Sequence, residues 1–356
     1  MSTAPDPRPL PDLLAAAADT LMSREAAEAP AALANQFKSN RAPLATLAQR
    51  LRGRPPRLVA TCARGSSDHA ATYAKYLIET RLGVPTVSTA PSVSSVYPAG
   101  PDGADTLFIA ISQSGRSPDL LAAAERAQRG GALVLALVNV ETSPLAGMAD
   151  LVVPLGAGPE RSVAATKSYL AALGAILQLT AEWSGRPELL AAVDGAPDRL
   201  AEAWALDWSA AIPPLAAASN LYVLGRGVGL GVAQEMALKF KETCAIHAEA
   251  FSSAEVRHGP MAIVGAGFPV LVAAQDDETL PGLADIAAEF ATRGADLLCA
   301  GVAAPGAVNL PTLAADPALQ PILLAQSFYR MAAAVAVARG LDPDRPPHLA
   351  KVTETV

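Results

Sequence analysis

Short continuous apolar runs alternate with longer stretches of helical periodicity along most of the chain. "RLVATCA" (57–63), "TLFIAIS" (106–112), "ALVLALVN" (132–139) and "DLVVPLG" (150–156) have strand length and no polar alternation. Such runs predict strands buried on both faces. Between them, "SDHAATYAKYLIETRL" (67–82) and the run after Pro118 have apolar positions at helical spacing. "SVAATKSYLAALGAILQLTAEW" (162–183) predicts a long helix. Strands separated by helices imply parallel pairing, since a crossover must return the chain to the same end of the sheet. Upstream, residues 12–52 read as helical, broken near Pro30 and Pro43, and the Pro-rich residues 1–11 predict a loosely attached segment.

The pattern then starts again. "NLYVLGRG" (220–227) predicts a strand and glycine loop, followed by the helix "GVAQEMALKFKETCA" (231–245). Residues 268–302 can be laid on residues 105–139 with an offset drifting only from 162 to 164, and Gln275 falls on Gln113. The expected fold class is therefore α/β. It has two tandem parallel sheets flanked by helices, doubly wound and flavodoxin-like, with N-terminal helices and a docked C-terminal tail. The expected boundaries are an N-terminal extension at 1–52, a first domain at 53–195, a second at 205–340 and a tail at 341–356. A Pro- and Ala-rich segment near 186–214 joins the halves. The two copies differ where a strand ends: "SQS" in the first, "AQDD" in the second. An anion tolerates hydroxyls and is rejected by carboxylates, so if an anion binds, the first copy holds it.

Composition narrows the partners. The chain has 356 residues, 51% hydrophobic and 17% charged, which is ample for two cores. A net charge of −7 without a basic stripe excludes nucleic acid as a partner, while a local site can still take a small anion. Cys62, Cys244 and Cys299 lie far apart, no Cys-x-x-Cys pair exists and four histidines are scattered. Neither a disulfide framework nor a structural zinc site is expected. The start lacks the regions of a signal peptide, and "ALVLALV" (132–138) is too short to span a membrane. "YRMAAAVAVARGL" carries Arg330 and reads as a buried helix. A cytoplasmic soluble protein with no membrane partner is expected.

Candidate chemistry gathers at strand ends, where open parallel sheets bind ligands. Ser112, Gln113 and Ser114 lie at one such end, and Ser117 is close to the next helix start. Hydroxyls and unpaired helix N–H groups suit a phosphate; the plain alternative is a Ser/Gly turn with a helix cap. "ARGSSDH" (63–69) ends the first strand alike, with Ser66 and Ser67 as further donors or as caps. No nucleotide P-loop occurs, and "GRGVGLG" (225–231) fails the dinucleotide spacing. The densest stretch is "EMALKFKETCAIHAEAFSSAEVRHGPMAIV" (235–264). Glu235, Lys239 and Glu242 share a helix face there, either as a solvated salt-bridge ladder or, with His247, Glu249, Glu255 and His258 nearby in sequence, as proton-transfer groups. In the tail "PPHLAKVTETV" (346–356), Leu349, Ala350 and Val352 could dock Lys351, which otherwise is a solvated lysine.

Together these pieces resemble the SIS (sugar isomerase) domain family over nearly all of the chain after about residue 20. The resemblance is to the isomerase half of glucosamine-6-phosphate synthase and to SIS-type amino sugar phosphate deaminases. It rests on "SREAAEAPAAL" (23–33), "ISQSGRSPD" (111–119), "GPERSVAATKSYLAAL" (158–173), "LGRG" (224–227), "ALKFKETCAIHAEAF" (237–251), "EVRHGP" (255–260) and "LAKVTETV" (349–356). It implies that Ser112, Gln113, Ser114 and Ser117 bind the sugar phosphate, with Ser67 a further ligand-binding serine. Val163 falls where a backbone contact to the sugar is made. Glu242 matches the carboxylate that moves a proton between C1 and C2, and Lys239 a lysine near the hydroxyls or intermediate. His258 matches a histidine tied to ring opening and contributed across a homodimer interface. Lys351 matches the tail lysine at the open-chain carbonyl.

The sequence departs from the synthase pattern in three places. No glutaminase segment precedes the isomerase region, and Ser2 stands where the synthase has its nucleophilic cysteine. Lys-His-Gly-Pro reads Arg257-His258-Gly259-Pro260, and the tail reads "LAKVTETV". These features imply a glucosamine-6-phosphate deaminase that forms fructose 6-phosphate and ammonia, with no metal or redox cofactor. A galactosamine-6-phosphate deaminase, a plain aldose–ketose isomerase and a non-catalytic phosphosugar sensor are the alternatives. Retention of Glu242, His258 and Lys351 favours an enzyme.

Overall fold

A computed structural model describes residue 6 and residues 8–97 and 103–351. Among these residues ten strands form two sheets of five. The first contains β1 (Leu58–Cys62), β2 (Thr86–Ser88), β3 (Thr106–Ser112), β4 (Leu133–Val138) and β5 (Leu151–Pro154), in the order β2-β1-β3-β4-β5. The second contains β6 (Asn220–Gly225), β7 (His247–Ser252), β8 (Pro269–Ala273), β9 (Asp296–Ala300) and β10 (Val308–Leu310), in the order β10-β9-β8-β6-β7. All pairings are parallel. Counted from its own first strand, each sheet has the order 2-1-3-4-5, so the sequence repeat is a repeat of topology. The three short or edge strands β2, β7 and β10 carry no continuous apolar run, and periodicity alone does not find them.

Burial fixes the strand ends. Leu107 through Ile111 are all buried, and a fully buried Leu, Ile or Phe contributes about 1.5–3 kcal/mol. A slip of one residue would draw Thr106 or Ser112 into that apolar layer. Register therefore places Cys62 beside Ala110 and Ser112 beside Val138. One core packs Phe108, Leu120, Val134 and Leu145 around the first sheet, and another packs Tyr222, Val270, Ile286 and Phe290 around the second.

The chain forms two compact units. Ala31–Glu160 with Lys167–Pro197 carries the first sheet; residues up to Pro30, Arg161–Thr166 and Asp198–Lys351 carry the second. Several expectations need correcting. The helix Ala29–Gly53 continues through Pro43. A proline inside a helix costs about 3 kcal/mol, but burial of Leu33, Phe37, Leu44, Leu47 and Leu51 outweighs that, with Pro43 on the exposed side. The helix expected from 162 starts at Lys167, because the backbone of Arg161, Ser162 and Val163 is bonded elsewhere. Leu10 and Pro11, expected in the loose leader, open the helix Leu10–Ala18, which packs on the helix Gln320–Ala338; residues 1–5 and 7 lie outside the described residues. The Pro- and Ala-rich joining segment, to which the sequence assigned no element, is largely helical, with Pro197 inside the helix Pro187–Ala205. The helix Gln320–Ala338 is long and apolar enough to cross a membrane, and 94% of its apolar window is buried inside the protein.

Candidate active site

The first cluster lies at the carboxyl ends of β1 and β3. These strands are neighbours, with β2 beyond one and β4 beyond the other, so the connections after them diverge and leave a crevice. Ser112 is 7% exposed, and its Oγ accepts from the Gly115 N–H at 2.9 Å, which shapes the turn. Ser114 Oγ accepts from the Arg116 N–H at 3.4 Å, and Gln113, Ser114 and Ser117 are half-buried. Gly115 has φ +63°, and a Cβ there would lie 2.2 Å from Ser143 Oγ, so glycine is required twice over. Ser117 precedes the helix Pro118–Arg129 but makes no side-chain capping bond. That weighs against the plain capped turn, and the hydroxyl hydrogen can be donated to an acceptor with or without such a cap. Across the crevice, Gly65 at φ +55° opens the helix Ser66–Leu82, with Ser67 in its first turn. Arg64 ties the two walls together: Nε and Nη2 lie 2.8 and 2.7 Å from Oδ2 of the fully buried Asp119.

The second cluster stands on the helix Leu230–Cys244. Glu235, Lys239 and Glu242 do share a face, but the face is not a solvated ladder. Glu235 and Lys239 are fully buried, and only the Glu242 side chain reaches the surface, 21% exposed. Lys239 Nζ lies 3.4 Å from Glu235 Oε1 and contacts Glu242 Oε2 directly. Tyr329 OH donates to Glu235 Oε1 at 3.1 Å. Burial alone would lower the Lys239 pKa, but the two carboxylates overrule it and hold the ammonium above the ordinary lysine range. Glu242 is thus a carboxylate aimed by a fixed buried cation, an arrangement suited to taking a proton from a carbon next to a carbonyl.

The third cluster joins the loop 161–166 to the tail. Lys351 Nζ donates to the Ser162 carbonyl at 2.7 Å, and the Val163 N–H donates to the Asp344 carbonyl at 3.2 Å. The Asp344 carboxylate accepts from the Leu21 and Met22 N–H groups, both at 2.8 Å. The Glu25 carboxylate accepts from the Arg161 and Ser162 N–H groups at 2.5 and 3.1 Å. Val352, expected to help dock Lys351, lies outside the described residues together with 353–356.

His258 stands apart, exposed on a short 3-10 turn that ends at Gly259 with φ +140°. Arg257 braces that turn through Glu289 at 2.5 Å. His247 and Glu249, near the motif in sequence, are exposed on the edge strand β7 and belong to none of the three clusters. The structure adds residues that spacing did not single out: Glu25, Asp344, Tyr329 and the Arg64–Asp119 pair. Glu25 lies in the stretch "SREAAEAPAAL", yet its partners are 136 and 137 residues away, beyond the reach of any local pattern.

Two duplicated parallel sheets, one with hydroxyls at its crevice and the other with a buried carboxylate–lysine run, define a tandem doubly wound α/β protein. The chain belongs to the SIS domain family, which matches residues 55–181 and 214–300, one stretch on each sheet. It is 36% identical over 359 residues to a glutamine–fructose-6-phosphate aminotransferase (isomerizing) of Aeropyrum pernix, covering 93% of this chain and 56% of that one. The corresponding protein of Pseudomonas syringae pv. tomato is 36% identical over 315 residues, covering 83% and 51%. The chain thus spans about half the length of the curated relatives it matches. Among solved structures, a candidate phosphosugar isomerase from Silicibacter pomeroyi DSS-3 is 45% identical with TM-score 0.85, covering 91% of this chain and all of that one. A glucosamine-6-phosphate deaminase from Thermotoga maritima shares the fold at TM-score 0.72 and 23% identity, covering 94% of this chain and all of that one.

Proposed function

We propose that the protein is a phosphosugar enzyme that moves a proton between C1 and C2, and that its reaction is deamination of glucosamine 6-phosphate to fructose 6-phosphate and ammonia. The observation that carries this reading is the buried Lys239 between Glu235 and Glu242, with Glu242 alone at the surface. The Ser112–Ser117 loop and Ser67 hold the phosphate, remote from the bond that changes. His258, from a partner chain in a homodimer, assists ring opening, and Lys351 meets the open-chain carbonyl. The Val163 backbone contacts the sugar.

Glu242 then removes the C2 proton of the open-chain amino aldose, leaving an enaminol with its hydroxyl on C1. Return of that proton to C1 gives the C2 imine. Water adds to the imine carbon and ammonia leaves, so one water is consumed per ammonia released. The match of this chain to isomerizing aminotransferases supports an amino sugar at C2. The 45% identity to a candidate phosphosugar isomerase favours a second reading, aldose–ketose exchange without loss of nitrogen.

The deciding experiment supplies purified protein with glucosamine 6-phosphate or galactosamine 6-phosphate and measures ammonia and ketose phosphate together. Equal amounts of both products from the gluco substrate support the proposal, and a galacto preference moves the substrate while keeping the chemistry. Ketose formation from an aldose phosphate without ammonia would replace the deaminase by the isomerase. Glu242→Gln should retain phosphosugar binding and lose roughly 10²–10⁴-fold in turnover. Binding without any turnover in the wild-type protein would leave a sensor.

A further inference from the structure

We propose that Arg64 is a further substrate-binding residue, which offers a guanidinium N–H to the anionic group in the serine cradle, and that Asp119 is its positioning residue. The inference rests on the phosphosugar reading above and deepens it, by giving the cradle a fixed cation that its serines lack.

Register puts Arg64 at the cradle. Cys62 on β1 pairs with Ala110 on β3, and two residues further on the chain reaches Arg64 in the loop after β1 and Ser112 at the end of β3. The ion pair then spans the crevice, from the loop after β1 to the first turn of the helix after Ser117. Nε and Nη2 of Arg64 both reach the same oxygen, Asp119 Oδ2. Among the described residues none engages Nη1, and the side chain remains 51% exposed. The guanidinium is therefore held on one edge and open on the other.

Charge argues the same way. A fully buried carboxylate under an anion site repels the anion unless a cation cancels it. Asp119 is fully buried, and Arg64 is a cation that pairs with it. The loop's other cation, Arg116, is exposed, and no described residue fixes its side chain. A phosphate that recruited Arg116 would have to order a free long side chain, whereas Arg64 is ordered beforehand. The ligand class that fits is a phosphate monoester, whose oxygens accept from a guanidinium edge and from hydroxyls together.

The test compares the full-length wild type with Arg64→Ala, Arg116→Ala and the double variant Arg64→Ala/Asp119→Asn. Calorimetry gives Kd for inorganic phosphate and for glucosamine 6-phosphate, and thermal unfolding and steady-state kinetics are run beside it. Arg64→Ala should weaken both ligands about tenfold to a hundredfold, raise KM alike and change kcat by less than about threefold. Its Tm should fall, because the buried Asp119 loses both of its contacts with the Arg64 guanidinium. The double variant should regain the Tm but not the affinity, and Arg116→Ala should lose less affinity than Arg64→Ala. Recovery of affinity together with Tm in the double variant would show that Arg64 only neutralises Asp119, and would overturn the proposal. So would wild-type affinity in Arg64→Ala, or a larger loss in Arg116→Ala. A wild type that binds inorganic phosphate but turns over no phosphosugar would sink the proposed reaction while the phosphate data still judge Arg64. A wild type that binds neither ligand would overturn both.

Discussion

Replacing Lys239 by Met keeps an unbranched side chain, one atom shorter, and removes its charge. Nζ lies 3.4 Å from Glu235 Oε1, and two unit charges at that distance attract by roughly 5 kcal/mol at an effective dielectric near 20. Breaking a buried ion pair by removing one partner costs about 3–5 kcal/mol, so the two routes agree. Lys239→Met should lose that much in urea-induced unfolding at neutral pH, read by tryptophan fluorescence. Adding Glu235→Gln removes the stranded charge and keeps an acceptor for Tyr329, so the double variant should regain most of the loss and remain within about 1–2 kcal/mol of wild type. The pH dependence has a definite sign. The folded-state pKa of Lys239 is raised, so its stabilisation is fully present below the unfolded value near about 10.4 and is lost only as pH rises through the higher folded value. The gap between wild type and Lys239→Met attributable to this lysine should stay flat across about pH 7 to 9. Turnover should fall too, because Glu242 loses the cation that aims it. A Lys239→Met protein within 1 kcal/mol of wild type, or a double variant no more stable than the single one, would refute this account of the helix.

Three further outcomes follow from the geometry. Gly115→Ala must place a methyl 2.2 Å from Ser143 Oγ at φ +63°, so it should destabilise by about 1–3 kcal/mol in thermal unfolding and weaken phosphate binding in calorimetry. Glu25→Gln keeps the shape but not the charge that holds the Arg161 and Ser162 N–H groups; it should cost about 1–2 kcal/mol and lower turnover more than phosphate affinity. Burial pushes the Cys62 and Cys244 thiols up to about 12 and that of Cys299 up to about 11, so the native protein should resist a thiol-specific reagent near neutral pH and react at all three only on unfolding.

What the sequence revealed follows from the range of the forces involved. Buried strands announce themselves because both faces need apolar side chains, and β3 spans the run Thr106–Ser112 expected for it. The repeat was legible for the same reason. Pro43 and the start of the helix at Lys167 were misread because tertiary contacts overrode local preference: a buried apolar face in one case, the Glu25 and Asp344 bonds in the other. The serine loop was legible as a cradle or a turn, and only the missing cap at Ser117 and the close approach of Ser143 to Gly115 weigh on that choice. The Glu235–Lys239–Glu242 spacing was legible, but its burial was not, since helical spacing says which side chains share a face and not what covers them.

The two copies of the sheet divide the chemistry by what fills each strand end. In the second copy Gln275 is fully buried, and its Nε2 lies within hydrogen-bonding reach of the Arg226 carbonyl at 2.8 Å, Thr279 Oγ1 at 2.9 Å and Asp277 Oδ2 at 3.0 Å. Asp277 Oδ1 in turn accepts from the Thr279 N–H at 2.8 Å and its hydroxyl at 2.5 Å. That strand end already contains its own carboxylate, and a phosphate would meet like charge where the first copy offers Ser114 and Ser117. The helices differ in the complementary sense. The helix after β1 buries Ala70, Ala74, Leu77 and Ile78, whereas the helix after β6 buries Glu235 and Lys239. Burying that charge is costly unless each member is paired, and here Lys239, Glu242 and Tyr329 supply the pairing. On the proposed reading, a duplicated scaffold can carry such a cost in one copy because anion recognition rests on the other, where the buried Asp119 beside the strand end is matched by Arg64.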